Sequence, residues 1–157
     1  MIEVTGNLWT YPADFRVITT NGTVRVDGCC VMGRGCAKEA KELYPGLARL
    51  LGKRIKERGN IVHYFDQDDL GYVAEPIGLF TFPVKHVWHE RADPDLIRQS
   101  VDQLRPAILR AIGTGFDRFV MPRPGCGNGQ LTWEKVRPLL VDLPDTVFVI
   151  DFDRSQA

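Results

Sequence analysis

The chain has 157 residues, which suits one domain with a single sizeable core. Lysine plus arginine balances aspartate plus glutamate at 20 each, so no global positive field exists to coat nucleic acid or a membrane surface. No apolar run approaches membrane-spanning length, and Met1-Ile-Glu-Val-Thr5 has no basic region followed by an apolar one, so a cytoplasmic protein with no membrane partner is expected.

In chain order, Phe15-Arg-Val-Ile-Thr-Thr20 reads as a buried strand stopped by the turn signal Asn21-Gly22. Val24-Arg-Val26 reads as a short strand or hairpin arm ahead of a second turn signal, Asp27-Gly28. From Arg34 the pattern turns helical: Cys36, Ala37, Ala40 and Leu43 share a face, and Tyr44-Pro45-Gly46 ends it. Leu47, Leu50, Leu51 and Ile55 mark another helix, terminated by Gly59-Asn60. Ile61-Val-His-Tyr-Phe65 and Ile77-Gly-Leu-Phe-Thr-Phe82 are strand patterns.

The longest helix should run from Asp93 to about Ile112. Asp93 suits its cap and Pro94 its first position, while Ile97, Val101, Leu104, Ile108 and Ile112 form the apolar stripe. Pro106 should kink it. Phe119-Val-Met121 is the next strand, Thr132 to Leu140 a helix, and Val147 to Asp151 a final buried strand. Strands separated by helices imply a layered α/β domain spanning 1–153, with a loose tail at 154–157 and ligands expected at the strand C-terminal ends.

Two glycine loops fit that geometry: Val31-Met-Gly-Arg-Gly35, and Pro124-Gly-Cys-Gly-Asn-Gly129 with Gln130-Leu-Thr-Trp133 after it. Glycine also ends strands for purely structural reasons. Two such loops ahead of two helices favour a diphosphate held between them, on backbone that carries no β-carbon and on helix-start amides. Neither is a P-loop, and neither has dinucleotide-fold spacing.

Lys85, in Thr81-Phe-Pro-Val-Lys85, emerges after an apolar strand beside Pro83, Val84 and Trp88. Partial desolvation there would lower its pKa and suit it to act as nucleophile or base; a solvated lysine at a strand end is the competing reading. His86 and His89 would share one helical turn, but no third ligand is spaced with them and no metal is expected. His63 reads as a packed or edge histidine. Cys29, Cys30, Cys36 and Cys126 contain no Cys-x-x-Cys spacing and read as free thiols, each a small apolar residue. Tyr64, Phe65, Tyr72, Phe80, Phe82, Trp88 and Trp133 offer stacking faces, but most fall on core positions; Trp88 alone belongs at a pocket rim.

Taken together, the three motifs resemble a macrodomain, in the branch of the terminal ADP-ribose protein glycohydrolase and the DNA ADP-ribosyl glycohydrolase antitoxins. Val31-Met-Gly-Arg-Gly-Cys-Ala37 is similar to the first ligand loop and its helix, Thr81 to Lys85 to the lysine-bearing segment, and Pro124 to Trp133 to the phosphate-cradling loop. Gly6-Asn7-Leu8 matches an element beside the adenine.

The resemblance implies a three-layer α/β/α sandwich with a mixed central sheet that binds ADP-ribose or an ADP-ribosylated substrate, DNA or protein, with no cofactor. The residues it implies for the ligand are Asn7, Leu8, Thr20 and Asn21, then Val31, Met32, Gly33, Arg34 and Gly35, and finally Pro124, Gly125, Cys126, Gly127, Asn128, Gly129 and Leu131. Lys85 would act at the anomeric carbon of the distal ribose, in an ADP-ribosyl hydrolase. A non-catalytic ADP-ribose reader and an ADP-ribose-1″-phosphate phosphatase are the alternatives.

The chain departs from the family pattern at three places. Gly129 stands where the protein-directed member has a catalytic aspartate, which the DNA-directed members lack. Asn7 replaces an adenine-contacting aspartate, with an amide oxygen that can still accept a hydrogen bond. A hairpin-like expansion from Asn21 to Cys30 leaves two candidates, Asn21 and Asp27, for the loop asparagine near the distal ribose. No oligomeric state follows from the sequence.

Overall fold

The structure, a computed structural model, describes residues 1–71 and 76–152; Tyr72 and the tail at 154–157 lie outside the described residues. Its strands are β1 (Ile2–Gly6), β2 (Phe15–Asn21), β3 (Tyr64–Asp66), β4 (Gly78–Lys85), β5 (Phe119–Pro122) and β6 (Val147–Phe152). Its helices are α1 (Gly35–Leu43), α2 (Leu47–Arg58), α3 (Gln67–Leu70), α4 (Pro94–Ala111) and α5 (Trp133–Leu140). The strands form one sheet in the order β1-β6-β5-β2-β4-β3, parallel throughout except for antiparallel β3 on β4.

The period of two along each strand divides the core between the faces of this sheet. Val17, Phe82, Phe119, Met121, Val147 and Val149 point to one face and pack with Ile97, Val101, Leu104 and Ile108 of α4 and Val136 and Leu140 of α5. Ile18, Leu79, Val120 and Ile150 point to the other and pack with Ala37 and Ala40 of α1 and Leu47, Ala48 and Leu51 of α2. The result is the expected three-layer α/β/α sandwich with a mixed sheet.

Local chemistry sets the element ends. Asp93 caps α4, its Oδ1 accepting from the Asp95 N–H at 2.9 Å, and Pro94 occupies the first turn where no donor is needed. The helix continues through Pro106, which lies on the exposed face together with Asp102, so the carbonyl deprived of its partner can meet water. Ser100 and Thr81, both buried, are hydrogen-bonded: Ser100 Oγ donates to the Pro83 carbonyl at 2.7 Å, and the His63 N–H donates to Thr81 Oγ1 at 3.0 Å.

Five expectations need correction. Strand β3 begins at Tyr64 rather than Ile61, because residues 61–63 are held individually: the Val62 N–H by Gln103, and His63 by Thr81 and the Gly59 carbonyl. Strand β4 runs on to Lys85, since Pro83 lies beyond the stretch where β3 pairs and no ladder donor is missed there. Leu43 and Ile112 sit at helix ends and are exposed. The Val24–Val26 arm is reduced to a single bridge, Val24 to Cys30. Edge strand β1 and short α3 were not anticipated.

Candidate functional site

Five strands run parallel, so β1, β2, β4, β5 and β6 all end at the same edge of the sheet. The loops after them enclose a cleft of about 1200 Å³. Its lining includes Asn7, Leu8, Thr20, Asn21, Val31, Met32, Gly33, Arg34, Gly35, Lys85, Gly125, Cys126, Gly127, Asn128, Gly129 and Leu131. Pro124, expected among them, is buried behind the loop, where its carbonyl faces the Cys126 thiol at 3.6 Å.

The first glycine loop leads directly into α1. Arg34 is extended (φ −147°, ψ 158°) and makes no side-chain cap, and the first turn carries no acidic residue. The leading amides of α1 are therefore not capped by a side chain and are available to an anion. A β-carbon on Gly33 would touch nothing within 4 Å, so its bare face is open.

The second loop closes on itself. The Leu131 N–H donates to the Gly125 carbonyl (2.9 Å) and the Gln130 N–H to the Gly127 carbonyl (3.0 Å), with Gln130 in the left-handed region at φ 63°. It is pinned to the approach to α4 by the Ala92 N–H on the Gly129 carbonyl, at 3.0 Å. Gly125 (φ 74°) abuts Ala92 and Ile97, whereas Gly127 faces open space.

Lys85 is the last residue of β4 and the register partner of Asn21, just past an irregularity in β2 between Thr20 and Asn21. Asn60 Nδ2 donates to its carbonyl at 3.0 Å, and its own Nζ donates to the Trp88 carbonyl at 3.3 Å. Burial, helped by the positive charge of Arg34, holds its ammonium below the usual lysine range.

Asn21 ties the hairpin together. Its Nδ2 donates to the Val31 carbonyl and its Oδ1 accepts from the Thr23 N–H, both at 2.9 Å. Asp27 is at the hairpin tip, accepting from the Cys29 N–H and paired with Arg25, and does not line the cleft. Of the two candidates, Asn21 is the one at the site.

At the other end of the cleft, Asn7 Oδ1 accepts from the Trp9 N–H at 2.8 Å. Its oxygen is thus already folded into the turn, with one lone pair to spare. Buried Arg16 holds that turn from beneath, donating to the Leu8, Trp9 and Tyr11 carbonyls at 2.8, 3.0 and 3.0 Å.

Sequence reasoning missed several cleft residues. Arg123 stacks on Trp133 at 4.7 Å and pairs with Asp151 at 3.6 Å, and Phe152 stands exposed at the end of β6. The rule that singled out Lys85, a residue at the C-terminal end of an apolar strand, also points to Phe152. Trp9 and Arg25 come from turns and carried no such signal. Cations lining the cleft (Arg25, Arg34, Lys85 and Arg123) are spread along its length.

The remaining candidates have separate roles. His86 pairs with Asp93 at 2.8 Å and His89 meets the Trp88 ring edge-on, so the two histidines do not converge. Among the described residues no three His, Cys, Asp or Glu side chains cluster as a metal site. All four cysteines are free; burial pushes the Cys30 thiol up to about 12 and raises those of Cys36 and Cys126, so these three are not ready nucleophiles.

A six-stranded mixed sheet between two helical layers, with two glycine loops facing each other at its C-terminal edge, defines a macrodomain. No protein-family model matches the chain. It is 30% identical over 135 residues to the DNA ADP-ribosyl glycohydrolase of Thermus aquaticus, a match covering 85% of this chain and 35% of that protein. The chain thus spans about a third of the length of the curated relatives it matches. The macrodomain of Mycobacterium tuberculosis DarG superposes with a TM-score of 0.76 at 26% identity, covering 97% of both chains. Thermosipho africanus DarTG in complex with ADP-ribose superposes at 0.75 with 20% identity, covering 99% of this chain and 42% of that one. The chain has the macrodomain fold, and by sequence and structure it is similar to the DNA ADP-ribosyl glycohydrolases and their DarG macrodomains.

Proposed function

We propose that the chain binds ADP-ribose in this cleft and hydrolyses the bond between its distal ribose and an ADP-ribosylated nucleobase of DNA. The observation that carries the proposal is the position of Lys85. Its amine, held below the usual lysine range, lies opposite Asn21 where the first glycine loop and the 86–89 segment meet.

The diphosphate would lie between the α1 amides and the Gly125–Gly129 loop, with the cleft cations offsetting its charge. That fixes the distal ribose and turns attack into a step between oriented groups. As nucleophile, the neutral Lys85 amine forms a bond to C1″ while the C1″–base bond breaks; the base leaves with the electron pair and accepts a proton. Water then cleaves the lysine adduct, frees ADP-ribose and restores the amine. As general base, Lys85 would instead take a proton from the attacking water.

The test is to incubate the protein and Lys85→Ala with ADP-ribosylated DNA and follow free ADP-ribose. Release by the native chain and loss of at least 100-fold in the variant is expected. No release by the native chain, or equal release by both, sinks the catalytic reading. A non-catalytic reader is the second reading, favoured by one observation: Gly129 has no room for a carboxylate that could assist the lysine. It predicts calorimetric binding of ADP-ribose without turnover.

A further inference from the structure

We infer that Trp88 is the stacking platform for the leaving nucleobase, and so determines specificity for nucleic-acid over protein substrates; the inference rests on the function proposed above. Trp88 lies three residues past Lys85 at the cleft mouth, with about half of its surface (49%) in solvent. An indole left that exposed at the mouth of the cleft contributes little to the core.

Its placement is nevertheless fixed. The Trp88 N–H donates to Thr23 Oγ1 at 3.0 Å, and its carbonyl accepts from Lys85 Nζ at 3.3 Å. The ring is met edge-on by His89, with centroids 5.4 Å apart and planes at 87°. The main chain that carries the indole is therefore bonded to the reacting amine itself, and whatever group departs from C1″ leaves beside it.

The chemistry of the neighbourhood selects a base. A planar nucleobase stacks favourably on an aromatic side chain, whereas a flexible carboxylate side chain gains nothing comparable. Arg25, on the hairpin across the mouth, is exposed and can meet the phosphate beside that base. The Thr23 hydroxyl links this hairpin to Trp88, so platform and phosphate contact move as one unit.

The experiment compares native protein, Trp88→Ala and Trp88→Phe on three probes. These are a single-stranded oligonucleotide with one ADP-ribosylated base, a peptide ADP-ribosylated on glutamate, and free ADP-ribose measured by calorimetry. Expected is a fall of about tenfold or more in kcat/KM on the oligonucleotide for Trp88→Ala and near-native rates for Trp88→Phe. The Kd for free ADP-ribose should stay within about twofold. Undiminished oligonucleotide turnover in Trp88→Ala overturns the inference, as does a parallel loss of affinity for free ADP-ribose or an equal loss on the peptide. Native protein that binds no ADP-ribose and releases none removes the underlying function as well, a result distinct from either.

Discussion

Asn21 and Lys85 face each other as the terminal register pair of β2 and β4, and the side chain of Asn21 is spent on the hairpin rather than on Lys85. One amide group thus joins the strand end, the Thr23 turn and the Val31 start of the first glycine loop. Asn21→Ala should cut both bonds, lowering stability by about 1–2 kcal/mol and loosening the first glycine loop. Urea unfolding with ADP-ribose calorimetry checks this. Native affinity in a destabilised Asn21→Ala would mean that the loop does not depend on the hairpin.

The pH dependence of turnover follows from the surroundings of Lys85. Burial first, and the Arg34 charge second, depress its pKa. A group that must be neutral to react becomes active as pH rises through its folded pKa, so kcat should climb to a plateau at lower pH than an ordinary lysine allows. Arg34→Gln removes one cause of the depression, which shifts that limb to higher pH. A limb that stays in place or moves lower would show that Arg34 does not act on the amine.

Much of this arrangement was legible in the sequence, and the exceptions have physical causes. Strand β2 and helices α1, α2, α4 and α5 were readable because apolar period and punctuation agreed at Asn21-Gly22, Gly59-Asn60 and Asp93-Pro94. Edge strand β1 was not: only Val4 and Gly6 of its five residues are even half-buried, so it shows no apolar run. The two glycine loops and Lys85 announced themselves by residue type. Arg123, Trp9 and Phe152 reach the cleft only because parallel strands bring distant loops to one edge. Choosing between Asn21 and Asp27 required the hairpin itself, which carries Asp27 away on its tip. The reading of Gly129 as a missing aspartate also changes, since the position is closed to any side chain.

That closure yields a paired prediction within one loop. A β-carbon on Gly129 would lie 2.5 Å from the Gly125 carbonyl oxygen and 2.8 Å from Ala92 Cβ, so the backbone has to move. Gly129→Asp should therefore not gain a catalytic acid; it should lose several degrees of Tm and weaken ADP-ribose binding. Gly127→Val meets nothing within 4 Å of its first carbon and should leave Tm nearly unchanged, while ADP-ribose affinity falls by about tenfold or more as the side chain enters the cleft. Thermal shift and calorimetry on both variants decide it. Faster turnover in Gly129→Asp, or unaltered affinity in Gly127→Val, would contradict this geometry.

Arg16 tests whether the Asn7 end of the cleft is held from within the sheet. Its guanidinium rises from β2 into the turn after β1 and donates to three carbonyls there, Leu8, Trp9 and Tyr11. Arg16→Met keeps much of the apolar stem but leaves those acceptors without these donors in a buried setting, at a cost of about 2–4 kcal/mol. Because Asn7 forms its turn with the Trp9 N–H, the same change should loosen Asn7 and weaken AMP binding as well as ADP-ribose binding. Arg16→Lys restores a cation but offers one compact donor centre in place of a planar fork, so it should recover only part of the stability. Denaturant unfolding alongside AMP titration separates the two effects. Full stability in Arg16→Met would show that the turn closes without the guanidinium, and unchanged AMP affinity in a destabilised Arg16→Met would confine the role of Arg16 to the fold.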